Sequence, residues 1–433
     1  MQKTAVKFLY LYAIFLLLPY LKITAQTQPV SLERAVSLAL ENNAELKRQA
    51  IILQASERAA KYSWNTAIPN VSVSEADTYS ADKTQKLNEV SLSGNASLNI
   101  RADIFGSMNK SRIDHEVEKL NYSQLCAQIK SRVVNSYLEI ISFQQEIAYR
   151  TEALKNTRAL YEENADKYRK GFISENECLI SKIACEKQKV ELNGKKQELK
   201  TLVHEFCGLT GIQFTDEVVF STSLDSIYGE VLRITGDSYA DRINACIKNK
   251  TYPSAVLLNL QKEAAVAELK TKKIAVWSPS LDVSYTTGPL FDERKYTSTV
   301  TAGVNLSLDS FLGCSAARQE VRNAEDSVRD LEIQIQSREK ETASRVGILL
   351  LELADKKETA EAYESFVKIT KQNYQLCKKQ YNSGMLDFQA VKTASTELLD
   401  SQIDYAGMIA GVVKTFMEIQ ETAGLDFTVH GEP

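Results

Sequence analysis

Past residue 30 the hydrophobic positions follow two alternating rules. Leu32, Ala35, Val36, Ala39, Leu40 and Leu46 recur at helical intervals, which predicts an amphipathic helix running from Ser31, a capping residue, to Trp64. The stretch from Pro253 through Leu257, Leu260, Ala264 and Leu269 to Trp277 reads the same way. Pro69 and Pro279 end both patterns, and beyond each proline the period drops to two. Val90, Leu92, Gly94, Ala96, Leu98 and Ile100 alternate with Ser91, Ser93, Asn95, Ser97 and Asn99. Val300, Ala302, Val304, Leu306 and Leu308 alternate with Thr299, Thr301, Gly303, Asn305 and Ser307. Such runs predict strands of about ten residues. Shorter alternating runs precede them at Val71-Ser72-Val73-Ser74 and at Leu281 to Thr286. Polar connections from Asp77 to Asn88 and from Gly288 to Lys295 join each pair, giving β-hairpins at about 69–101 and 281–308.

After Asp103 and Asp309 the helical period returns, from about Ser107 to Tyr168 and from about Ala316 to Tyr381, with no proline in either stretch. At 1.5 Å per residue each helix spans on the order of 90–100 Å, longer than a single globular domain. In the first, Val133, Tyr137, Ile140, Ile147, Leu154, Tyr161, Ala165 and Tyr168 form one seam; Ile113, Val117, Leu120, Ala127, Val134, Leu138, Ile141 and Ala148 form another. Two seams imply neighbours on two sides, as in a closed ring of helices. Gly171 and Gly384 break the helices, and returning helices are predicted from about Glu175 to Cys207 and from about Phe388 to Thr422.

The two halves are copies of one plan. Trp64-Asn65-Thr66-Ala67-Ile68-Pro69 corresponds to Trp277-Ser278-Pro279, Asp103-Ile104-Phe105-Gly106 to Asp309-Ser310-Phe311-Leu312-Gly313, Tyr168-Arg169-Lys170-Gly171 to Tyr381-Asn382-Ser383-Gly384, and Gly208-Leu209 to Gly424-Leu425. The offsets are 213, 206, 213 and 216. The seven extra residues between Asp309 and Gly384 equal one heptad, so the added length leaves the helix face unchanged.

The polar face of the hairpins is small and almost uncharged, as a lumen lining would be, and the strands have the roughly 9–11 residues that a tilted membrane crossing needs. A half-buried soluble hairpin is the competing reading. Trp64, Phe105, Trp277 and Phe311 fall where strand meets helix, the place for aromatic residues at a membrane interface, although core packing also accounts for them. Four spanning strands would leave two unpaired edges in lipid, so such a chain must assemble into a ring. Three copies would give 12 strands.

Composition narrows the class. The chain carries 52 Lys and Arg against 56 Asp and Glu, mixed along its length, so there is no basic field for nucleic acid. Lys3 and Lys7 precede the apolar run Phe8 to Leu21, and Ile23-Thr24-Ala25 precedes Gln26. This reads as a signal peptide cleaved after Ala25. A membrane anchor is the alternative, but a run of 14 residues is short of the roughly 20 that span a bilayer. Seven cysteines, none in a CxxC, make an odd set whose simplest role is as small buried hydrophobes. His115, His204 and His430 stand in no HExxH or triad-like setting, and there is no glycine-rich phosphate loop, so no enzyme, cofactor or metal site is expected. Five Met and three His weigh against a copper or silver exporter.

The run Ser31-Leu32-Glu33-Arg34-Ala35-Val36-Ser37-Leu38-Ala39-Leu40-Glu41-Asn42-Asn43, the duplicated Trp-to-Pro and Asp-to-Gly junctions and the two Tyr-x-x-Gly bends together resemble the TolC-like outer-membrane efflux proteins. That resemblance implies a mainly α fold with a small β-barrel portion: a homotrimer with a 12-stranded transmembrane barrel in outer-membrane lipid, continued by a periplasmic α-helical barrel. It implies an exit duct for small-molecule efflux or type I-like secretion, served by an inner-membrane transporter and a periplasmic adaptor. Tyr168, Gly171, Tyr381 and Gly384 would then be the helical tips that meet the adaptor, and Ser91, Ser93, Asn95, Ser97, Thr299, Thr301 and Asn305 would face the lumen. The chain divides accordingly into a signal peptide (1–25), a first repeat (26–210), a connecting equatorial segment (211–251), a second repeat (252–425) and a tail (426–433). There is one departure. The acidic positions that often ring the tunnel mouth in this family fall here on Ala390 and Thr393, which leaves Asp387 as the nearest candidate carboxylate, or simply a helix cap. A periplasmic coiled-coil adaptor without a membrane barrel is the alternative function.

Overall fold

The structure is a computed structural model that describes residues 30–79, 88–212, 220–236, 238–288, 297–306 and 312–425. The expected signal segment and tail, and Ser307, Leu308, Asp309 and Phe311, lie outside the described residues, as do most of the two outer strand connections. The elements run α1 (Leu32–Asn42), α2 (Ala44–Lys61), a 3-10 turn (Ser63–Ala67), β1 (Asn70–Tyr79), β2 (Asn88–Ile100), α3 (Ile104–Arg169), α4 (Glu175–Thr210), α5 (Leu224–Ile234), α6 (Tyr239–Lys248), α7 (Pro253–Trp277), β3 (Ser280–Gly288), β4 (Thr297–Asn305), α8 (Ala316–Asn382) and α9 (Phe388–Ala423). At 66 and 67 residues, α3 and α8 are each about 100 Å long.

The helix expected from Ser31 to Trp64 is instead two helices and a 3-10 turn. Asn43 leaves helical geometry (ψ 126°), and its side chain accepts from the Glu45 N–H at 2.8 Å and the Leu46 N–H at 3.2 Å. Asparagine bonds its own neighbouring backbone well enough to restart a helix, which the apolar period running past it concealed.

The helices form one layer in the order α2 and α4, then α3, then α7 and α9, then α8. α3 and α8 are continuous, while the other two positions are each filled by two helices meeting end to end. Gly424 closes α9 at φ 69° against Pro253, the first residue of α7, and Gly211 closes α4 beside Asn42. Near the start of α3, Gly106 lies so close to Thr271 of α7 that a methyl group would sit 2.1 Å from its hydroxyl. That contact explains the small residue in the Asp-Ile-Phe-Gly junction.

The main core surrounds these joints. Tyr137 of α3 is fully buried between Phe206 and Phe220, with ring centroids 6.1 and 5.2 Å away. Its hydroxyl donates to the Val30 carbonyl at 3.1 Å and accepts from the Thr222 N–H at 3.3 Å, so it joins α3 to both flanking segments. Burial pushes its pKa above the usual tyrosine value. Leu224, Ile227 and Val231 of α5 and Ile243 of α6 cover α9 from the side.

The strands form a single antiparallel meander, β1-β2-β3-β4, with the two halves joined by β2 pairing with β3 from Gly94↔Thr287 to Ile100↔Leu281. β1 and β4 are its edges. Among the described residues, no helix is long and apolar enough to cross a membrane.

Replacing a left-handed glycine by alanine costs roughly 1–2 kcal/mol in backbone strain. Gly171→Ala should show only that, because nothing lies within 4 Å of the added methyl, whereas in Gly424→Ala the methyl would meet Pro253 Cδ at 2.4 Å. Gly424→Ala should therefore melt at the lower temperature in thermal denaturation followed by circular dichroism. Equal melting temperatures would show that the joint gives way freely.

Candidate pore lining and helical tips

Pairing fixes which side chains share a face, because side chains alternate along each strand. The register aligns Ser72, Asn95, Thr286 and Thr299 in one row across the sheet, and Ser97, Ser284 and Thr301 in another. Ser91, Ser93 and Asn305 have the same parity, so all seven strand residues expected to face a lumen lie on one face. Ser74 and Ser93 bond hydroxyl to hydroxyl at 2.9 Å. The opposite face carries Val71, Val73, Ala96, Leu98, Leu281, Val283, Tyr285, Val300 and Val304. Its edge valines are about 70% exposed (Val71 72%, Val73 68%, Val300 71%, Val304 69%), an uncovered apolar surface of the kind that marks a membrane or protein contact.

One member of the polar face escaped sequence reasoning. Asp282 lies across from Asn99 in the register and accepts from its side-chain amide, from Asn305 Nδ2 at 2.6 Å and from Ser280 Oγ at 3.2 Å. Its alternation parity was visible in the sequence, but the small neutral residues around it gave the face an uncharged look.

The aromatic residues at the junctions are open. Trp64 is 49% exposed in the 3-10 turn before β1, Phe105 77% exposed at the start of α3, and Trp277 56% exposed at the end of α7, beneath the Arg318 guanidinium.

At the far end the two bends are built alike. Gly171 (φ 77°) and Gly384 (φ 74°) follow α3 and α8. The next N–H folds back onto the helix in each: Phe172 onto the Lys167 carbonyl and Met385 onto the Gln380 carbonyl, both at 2.9 Å. This is the Schellman closure, which requires a left-handed residue at the glycine position. The returning helices are capped by Ser174, in a reciprocal box with Glu177, and by Asp387, whose carboxylate accepts from the Ala390 N–H at 2.9 Å. The structure thus places Asp387 as a helix cap.

The tip tyrosines differ. Tyr168 is 41% exposed, whereas Tyr381 is only 8% exposed. Its hydroxyl donates to the fully buried Asn164, its ring packs on Phe388, and the Lys167 ammonium lies 4.3 Å from the ring centroid. Burial raises its pKa. The side chains that do project at the tips are Phe172 and Met385, each 76% exposed. Position alone, next to glycines in a turn, could have flagged them.

No protein-family model matches the sequence, and no curated protein matches it. Solved structures do. The outer membrane channel CmeC of Campylobacter jejuni superposes at a TM-score of 0.70 with 14% identity, over 93% of this chain and 87% of that one. The outer membrane protein VceC of Vibrio cholerae gives 0.70 and 13% over 92% and 97%. CusC gives 0.73 and 12% over 91% and 92%. The chain has the fold of the TolC-like outer-membrane channels.

Tyr381→Phe would leave Asn164 buried with neither end of its amide bonded, since its Nδ2 already lacks a partner. The expected loss is about 1–3 kcal/mol, localised to the tip. Hydrogen exchange around residues 164 and 381 should quicken while exchange around Tyr137 stays at the parent rate.

Proposed function

We propose that this chain is a subunit of an outer-membrane exit duct, in which three copies close a 12-stranded barrel and their helices continue it into the periplasm. The observation that carries the reading is the four-stranded meander with one apolar exposed face, one face of small polar groups and two unpaired edges, β1 and β4. In hydrocarbon each unsatisfied backbone group costs several kcal/mol, so those edges must find each other on neighbouring copies. The helix layer supports the same closure. Its α4 side exposes Ile183 (66%) and Val190 (69%), and its α8 side exposes Leu351 (73%) and Ile369 (62%). Two unlike sticky edges make a head-to-tail contact that closes into a ring.

Within this reading residues 1–25 direct export, 26–210 and 252–425 are the two repeats, 211–251 belongs to an equatorial belt, and 426–433 is a tail. Trp64, Phe105, Trp277 and Phe311 sit at the periplasmic membrane interface. The tips at Gly171 and Gly384, with Phe172 and Met385 projecting, meet a periplasmic adaptor that links the duct to an inner-membrane transporter. The cargo is a small molecule or a protein secreted by a type I-like route, and the chain itself performs no chemistry.

Membrane fractionation tests the proposal. The mature protein should require detergent for extraction and migrate as a trimer; a water-soluble monomer would overturn it. Val300→Arg, on the apolar face, should cost roughly 2–4 kcal/mol per copy if it lies near the bilayer midplane and deplete the trimer, while Thr301→Arg on the other face should leave the trimer in place.

A further inference from the structure

We infer that Asp282 makes the inner end of the barrel selective for cations. The inference rests on the channel reading above, because it needs the polar face of the sheet to enclose water. On that face the other described side chains are Ser, Thr and Asn, and the other acidic residue of that parity, Glu89, stands at the far end of β2, so Asp282 is the one charged strand residue at this end of the wall. It lies where the strands meet the helices, opposite the penultimate residue of β2 and bonded to the last residue of β4.

Three neutral donors hold the carboxylate, one from each of β2, β3 and β4: Asn99, Ser280 and Asn305. They satisfy its oxygens and fix its direction without cancelling its charge. Asp282 has no ion-pair partner among the described residues. The nearby Arg101, just past the end of β2, is paired with Asp103 at 3.2 Å. A ring of copies would repeat this charge at one height around the lumen. One exposed carboxylate in open solvent is screened within about 10 Å at 0.1 M salt. Carboxylates facing each other across a water-filled channel with low-dielectric walls reinforce their potentials, as in charged-ring selectivity filters.

The alternative is a clasp that only joins three strands, and charge separates the two roles. A thiol introduced by Ser284→Cys, two residues along the same face, reports the local potential through its reaction with cationic and anionic methanethiosulfonates. None of the seven native cysteines lies in the strands, and peptide mass spectrometry reads position 284 alone. The readout needs no conduction through the helical end. In the detergent-purified full chain, adding Asp282→Asn or Asp282→Ser should lower the cationic-to-anionic rate ratio about three-fold or more at low salt, while Asp282→Glu preserves it and 1 M salt removes the difference. An unchanged ratio in the Asn and Ser variants would overturn the inference and leave Asp282 as a clasp. If fractionation returns a water-soluble monomer, the channel reading itself falls, whatever the ratio shows.

Discussion

The structure depends on the unpaired backbone of two strands. β1 and β4 each present a row of amide and carbonyl groups with no strand partner among the described residues. In water such edges are a liability that proteins cover or blunt. Here nothing in the described chain covers them, and the outward valines leave the sheet unfit for water. The same chain carries its helices in a layer with two unlike apolar margins. Sheet and helices are therefore unfinished in the same sense, and in the proposed trimer both would be completed by the same rotation of one copy onto the next.

Much of this was legible because period is a strong signal when an element is long. The alternation around Val90 to Ile100 and Val300 to Val304 gave both the strands and their faces, and the glycines after Tyr168 and Tyr381 marked the bends to within a residue. What escaped depended on local bonding or on tertiary contact. The break at Asn43 is made by one side chain bonding two backbone amides, which leaves the apolar spacing undisturbed. The bond between Tyr381 and Asn164, 217 residues earlier in the chain, is a tertiary contact that no local pattern announces. The α5 and α6 helices lie in a stretch where Leu224, Ile227 and Val231 are spaced helically over only 11 residues, too short to stand out beside α3.

The duplicated plan is matched in geometry more closely than in chemistry. Both bends close with the same backbone bond, but one projects Phe172 and the other Met385, and one return helix starts with a serine-glutamate box while the other starts with an aspartate. At the other end the two halves meet through β2 and β3, so the midline of the sheet is also the boundary between repeats. A three-copy ring would then present alternating, related but unequal hairpins to any partner.

The end-to-end joints at Gly424 and Gly211 have a mechanical consequence. Two of the four positions across the layer are unbroken rods some 100 Å long, and the other two are split at mid-height, where only side chains and a few caps bridge the gap. In the proposed duct, flexing of the helical part against the sheet would have to open or slide those splits while the rods bow. α5 and α6, tied through Tyr239 to Gln420 three residues before α9 ends, pack beside that split, so in the proposed duct they would act as a splint across it.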